Sequence, residues 1–289
     1  MKAIPSTSSS NDVWFKKACD GILKLLSKSK IKVATERELK VRLEGEPFPG
    51  KPGPFPWVVR RALDYLIQEG KVKRHGYRGR RRIGKGVPMA FYSLAQTSYS
   101  EIEQLILIKR RISADISNVL TGEAPASFHA EDLFLDAFIK LDFKLHGRDV
   151  SEFKGLKVKS VNGKKPPDLD FVVERDGVIY GVDVKNWIRY EYGSRGEILH
   201  KVRLAKQLRL VPFIVARYID REITNKVIYE HQGLVYEYKN LLLPFTMRSL
   251  AEDCKKYMGY PVLAVEELPE DMLKRLEDIH HRYLSKKGN

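Results

Sequence analysis

Apolar residues fall at helical spacing at Trp14, Phe15, Ala18, Ile22, Leu25 and Leu26, so the pattern predicts a helix capped by Ser10, Asn11 or Asp12. Thr35-Glu36-Arg37-Glu38 has the form of a capping box and opens a short helix that stops at Gly45. A loop rich in Pro and Gly, 47–54, leads to Pro56, which suits the first turn of a third helix running to about Gln68 and stopped by Gly70. Val59, Ala62, Leu63 and Leu66 give that helix a buried side and leave Arg60, Arg61 and Tyr65 for the surface. Lys71-Val72-Lys73 and Met89 to Leu94 read as two strands. A helix of about twenty residues follows Ser100, apolar at Ile102, Leu105, Ile108, Ile112, Ile116 and Val119; it is expected to pack on a neighbour, the alternatives being a rigid connector between the two halves or a dimer contact.

After Gly122 to Pro125 a further helix starts near Phe128, with Phe134, Leu135, Phe138 and Ile139 on one side. Glu131 points to that side, whereas Asp132 and Asp136 fall away from it. A strand is expected within His146 to Lys159, ahead of the basic loop Asn162-Gly163-Lys164-Lys165. Between Pro167 and Lys185, two β-rich runs flank Asp176-Gly177, the dipeptide suited to a type I′ turn, and form a β-hairpin. A two-residue turn pairs Arg175 with Val178, sets Asp170 opposite Asp183 and sets Asp168 opposite Lys185. Asp168, Asp170, Asp183 and Lys185 then share one face, and Val178, Tyr180, Val182 and Val184 the other. A polar, Tyr-rich loop after Trp187 leads to a helix from about Ser194 to Leu208, with Ile198, Val202, Ala205 and Leu208 inward. Val211 to Tyr218 is a continuous apolar run, a buried strand. Leu234 to Tyr238, Met247 to Tyr257, Val262 to Val265 and Asp271 to Leu284 supply later strands and helices; His280-His281 on the last helix reads as surface.

The chain of 289 residues has room for one large domain or two modest ones, and 43% hydrophobic residues suffice for a packed core. No run is long and apolar enough to span a membrane, and Met1 to Ser10 lacks the apolar stretch of a secretory signal. Cys19 and Cys254 stand far apart and outside any zinc spacing, so a reduced, cytoplasmic setting is expected, with nucleoid association in a prokaryote. A net charge of +15 calls for a polyanionic partner, either nucleic acid or an anionic membrane surface. Its distribution favours nucleic acid. Lys71, Lys73, Arg74, Arg78, Arg80, Arg81, Arg82 and Lys85 lie in one stretch without a carboxylate.

Three carboxylates and an ammonium at one end of an apolar hairpin repel unless a cation joins them. An oxygen-only set of that kind suits Mg²⁺, with Mn²⁺ as a substitute. Asp170 supports the ligands from behind, binds a second metal or is a companion charge. The bland alternative for Asp183-Val184-Lys185 is an exposed strand end with a solvated ion pair.

Pro167-Asp168 followed fifteen positions on by Asp183-Val184-Lys185 resembles the signature of the PD-(D/E)xK nucleases, which include restriction endonucleases and archaeal Holliday-junction resolvases. The resemblance covers roughly 125–220 and implies a mixed sheet flanked by helices and a homodimer. It also implies phosphodiester hydrolysis in which Asp168 and Asp183 hold the ion, while Lys185 orients water and stabilises developing charge. A helix delivers a further acid to the metal, Glu131 here, the alternative for Glu131 being a helix-dipole partner alone. Three helices followed by two strands resemble a winged helix-turn-helix, which implies groove contacts from Arg60 and Arg61 and backbone contacts from Lys73, Arg74, Arg78, Arg80, Arg81 and Arg82. The expected architecture is therefore α/β: a winged-helix domain over 10–96, a connecting helix over 97–124 and a nuclease-like domain over 125–289. The expected activity is Mg²⁺-dependent cleavage of double-stranded or branched DNA. Asp-x-Lys stands where Glu-x-Lys is commoner, which keeps open a non-catalytic DNA-binding protein on the same fold; an RNA-directed nuclease is the third reading.

Overall fold

Phe15, Ala18, Ile22 and Leu26 form the buried stripe of α1 (Val13–Leu26), in the spacing that the sequence displays. The structure is a computed structural model and describes residues 13–44, 56–76, 89–120, 125–158, 166–186, 195–217, 219 and 221–287. It divides into two compact units, Met1–Asn118 with Ser249–Val262 and Val119–Arg248 with Leu263–Asn289.

In the first unit a three-residue strand, β1 (Val33–Thr35), runs directly into α2 (Glu36–Glu44). The hydrophobic pattern does not announce β1. It exists because β3 (Phe91–Leu94) takes it as a partner on one edge and β2 (Val72–His75) on the other, giving an antiparallel sheet in the order β1-β3-β2. The two-stranded expectation is thus corrected to three strands. α3 (Pro56–Gln68) packs on α1 and α2 through Val58, Val59, Ala62, Leu63 and Leu66.

α4 (Tyr99–Leu120) belongs to this unit for most of its length, with Ile102 and Ile106 packed against Val33 and Phe91. It also carries a fully buried Lys109, whose Nζ donates to both carboxylate oxygens of Glu38 at 2.7 and 2.8 Å and to the Val33 carbonyl at 2.6 Å. The Thr35 cap forms, since Thr35 Oγ1 accepts from the Glu38 N–H at 3.1 Å. The Glu38 carboxylate, however, serves the helix-to-helix ion pair.

The second unit begins with α5 (Pro125–Lys140), whose Phe134 and Phe138 sit in the core while Ile139, expected inward, is 49% exposed. β4 (Lys144–Val150) is followed by a small ribbon, β5 (Glu152–Phe153) and β6 (Leu156–Lys157). Then comes the hairpin of β7 (Leu169–Arg175) and β8 (Val178–Lys185), turned at Asp176 (φ 51°) and Gly177 (φ 71°) with Arg175 paired to Val178. Two consecutive positive φ angles are what a type I′ turn demands, and Asp-Gly meets that demand. α6 (Arg195–Gln207) crosses to β9 (Val211–Arg217), which runs parallel to β8. α7 (Arg221–Asn225), continued by a wide turn through Glu230, leads to β10 (Leu234–Tyr238).

The sheet order is β10-β9-β8-β7-β4, parallel on one side of β8 and antiparallel on the other. That is the mixed α/β arrangement expected. β11 (Leu241–Pro244), which the sequence pattern leaves unmarked, pairs with β12 (Val262–Val265), and α9 (Glu270–Lys287) closes the unit. Met247 to Tyr257 holds the end of a short turn, α8 (Arg248–Asp253) and a wide turn, and 249–262 groups with the first unit.

Strand alternation decides what covers each face of the five-stranded sheet. Phe171, Val173, Tyr180, Val182, Phe213 and Val215 meet α5 and α9. Val172, with Ile214 and Ala216, meets the α6 side. His280 on α9, expected at the surface, is buried; its ring bonds the Tyr180 hydroxyl at 2.8 Å and the Asp176 carboxylate at 2.9 Å, tying the hairpin tip to the last helix.

Candidate active site

The open end of the β7–β8 hairpin gathers the acidic residues. The paired ladder ends at Phe171–Val182, and beyond it the Val184 N–H donates to the Asp170 carboxylate at 2.6 Å. Asp170 is therefore fixed by backbone rather than loose beside the cluster. Asp183 has no solvent exposure, so the exposed, solvated ion pair is ruled out. Its Oδ1 accepts from Lys185 at 2.9 Å and from Lys201 at 2.9 Å. Its Oδ2 is buried without a hydrogen-bond partner among the described residues. A buried carboxylate oxygen with nothing to accept from is costly in a native fold and marks a place where a further group belongs.

Lys201 is the residue that the sequence pattern does not mark. It lies on α6 at the border of the inward face, one residue before Val202 and four before Ala205. Its side chain is 14% exposed, and its Nζ donates to the Asp168 carbonyl at 2.5 Å and lies 3.9 Å from a carboxylate oxygen of Asp168 and of Asp170. Gly181 lets α6 come this close. A Cβ there would lie 2.7 Å from Leu169 Cδ1, 3.1 Å from Leu210 Cδ1 and 3.2 Å from Ala205 Cβ. Gly181 and Asp183 share a strand face, and Ala205 and Lys201 share a helix face, so the close packing of one pair delivers the other. A cation-bearing residue on the rim of an otherwise apolar helix face is the signal that would have found it.

Glu131 comes from α5 and is partly buried, within electrostatic reach of Asp170, Asp183, Asp149 and Lys185. Burial first, then the Asp170 carboxylate and its neighbours, push the Glu131 carboxyl up to about 7. Burial and the adjacent Asp183 push Asp170 up to about 6, against the pull of Lys185, the Val184 N–H and Lys201. Burial works against the charge on Lys185, but Asp183 and Asp170 outweigh it and raise that ammonium above its ordinary value. Four carboxyls facing two ammoniums in one partly dry pocket leave negative charge in excess, and protons fill part of the deficit.

The strand end carrying Lys185 is held in place from beyond the pocket. Asn186 bridges to the backbone of Leu242 on β11 at 2.7 and 3.0 Å, and the Tyr238 hydroxyl donates to the Lys185 carbonyl at 3.3 Å. Asp183, Asp170 and Glu131 act on one another electrostatically and offer carboxylate oxygens, the ligand type that fits a hard divalent ion. No group of three ligand side chains is already arranged for a metal among the described residues.

The expected nucleic-acid contacts lie in the first unit. Arg60 is exposed and forms ion pairs with Asp64 at 3.0 Å and with Glu36. Arg61 is exposed and lies over the Phe15 ring at 5.6 Å. Lys73 and Arg74 project from β2 into solvent. Arg78, Arg80, Arg81 and Arg82 lie outside the described residues, as do Lys85 and the 162–165 loop. No helix among the described residues is long and apolar enough to cross a membrane. Set against family models, curated proteins and solved structures, the chain finds no match in any of the three.

Proposed function

We propose that this chain is a Mg²⁺-dependent endonuclease of PD-(D/E)xK type, positioned on DNA by a winged-helix-like first unit. The observation that carries the reading is the buried Oδ2 of Asp183, without a hydrogen-bond partner among the described residues, beside the carboxylates of Asp170 and Glu131 and linked through Lys201 to that of Asp168. Those carboxylates would hold the ion, which when bound lowers the pKa of water and offsets charge on the scissile phosphate. Lys185, anchored on Asp183, presents an ammonium that orients water and stabilises charge growing on the phosphoryl oxygens. Glu131, on α5 within electrostatic reach of Asp170 and Asp183, would add its carboxylate to the ligands of that ion. The element order helix, strand, helix, helix, strand, strand in the first unit supports the winged-helix part, and the +15 charge supports a nucleic-acid partner.

One observation favours a second reading. Lys185 and Lys201 together already supply cationic partners to Asp183, as a non-catalytic DNA-binding protein on the same fold would need. Cleavage assays with Mg²⁺ or Mn²⁺ on duplex, branched and single-stranded DNA separate the two. The nuclease reading expects nicking or cutting that Asp183→Ala abolishes while DNA binding persists. Tight binding without cleavage of any substrate would hand the protein to the second reading.

A further inference from the structure

The ammonium of Lys201 stands where three aspartates converge: 2.9 Å from Asp183 Oδ1, 3.9 Å from Asp168 Oδ1 and 3.9 Å from Asp170 Oδ1. It arrives from a separate helix and is held in register by the Gly181–Ala205 approach and by the Asp168 carbonyl. A divalent ion would draw the same oxygens to about 2.0–2.1 Å for Mg²⁺, and a second cation in their midst would be repelled. The lysine stem is flexible enough to withdraw. Asp183 Oδ2, buried and partnerless, is the oxygen that this ammonium leaves unsatisfied.

We propose that Lys201 is the built-in counter-ion of the acidic pocket, holding Asp168, Asp170 and Asp183 together in the metal-free protein and competing with the divalent ion for them. The inference rests on the metal-site reading above. Metal entry then requires Lys201 to leave the centre, so the affinity for metal is set partly by this side chain. A purely structural lysine, needed to hold the start of β7 against α6, predicts the reverse, because its loss would scatter the ligands.

The test is Mn²⁺ binding by the full chain without nucleic acid, read as free ion by electron paramagnetic resonance, with thermal melting alongside. Lys201→Met is expected to bind Mn²⁺ at least about tenfold tighter, since no ammonium then has to be displaced from the aspartates before the ion can enter. It should also melt lower than wild type without metal and gain more from Mn²⁺. Asp183→Asn should bind far more weakly than either. If Lys201→Met does not fold, Lys201→Gln, which keeps an N–H for the Asp168 carbonyl and drops the charge, carries the same expectation. Wild type that binds Mn²⁺ beside a folded variant that binds equally or more weakly overturns the counter-ion role and leaves the metal site standing. Folded proteins of which neither binds, or binding untouched by Asp183→Asn, would bring down both.

Discussion

Lys201 Nζ on α6 and Asp183 Oδ1 on β8 lie 2.9 Å apart, and the close approach of Gly181 to Ala205 is what makes that contact reachable. Gly181→Ala would place a methyl 2.7 Å from Leu169 Cδ1 and 3.2 Å from Ala205 Cβ, inside a packed layer. The helix must shift or Leu169 must leave its rotamer. Urea denaturation should show a loss of about 1–3 kcal/mol, the usual cost of overpacking. An unchanged midpoint would mean that the layer has slack, and the positioning role given to Gly181 would fall.

The pocket also sets a pH dependence. Glu131 rises from an ordinary 4.5 to about 7, and Asp170 from 3.8 to about 6. Between those limits the folded protein keeps protons that the unfolded chain has released. Stability from these two groups is therefore full below about pH 4 and is lost as pH climbs through 6 to 7. In chelator, the difference in denaturation midpoint between Glu131→Gln and wild type should shift in favour of the variant from pH 5 to 7.5. Adding Mg²⁺ at the upper end should restore wild type. A difference that stays flat with pH would show that Glu131 is not held near neutral.

The basic stretch makes a prediction of its own. Replacing Arg78, Arg80, Arg81 and Arg82 with Ser removes four cations. The slope of log affinity for duplex DNA against log salt should flatten by about 0.9 for each phosphate that is no longer neutralised. Mn²⁺ binding should not move. Equal slopes for variant and wild type would take DNA contact away from these residues.

Lys109 and Glu38 are both fully buried, and each depends on the other. Lys109→Met leaves the Glu38 carboxylate with Arg42, 3.2 Å away, and strands the Val33 carbonyl. The first unit should lose about 3–5 kcal/mol, and the double change with Glu38→Leu should recover much of it. A single variant as stable as wild type would mean that water or Arg42 takes over the pairing.

What could be read in the sequence was local in origin. Asp176-Gly177 fixes its turn through the φ angles its own residues prefer, and alternation then carries Asp183 and Lys185 to one face. The stripes of α1 and α3 follow from helical periodicity in the same way. The failures were all cases in which a distant segment decides. β1 is a strand because β3 pairs with it, Glu38 is a buried ion because Lys109 reaches it, and His280 is interior because the hairpin tip folds onto α9.

By itself, then, the sequence determined the hairpin, its acidic face and the basic character of the chain, since turn chemistry, residue alternation and charge need no partner. Only the tertiary structure decided that Asp183 is wholly dry, that Asp170 is tied to Val184, and that Lys201 stands among the aspartates. Burial and electrostatics are properties of what is packed alongside, and that is set by the approach of α6 to β8, which no local pattern encodes.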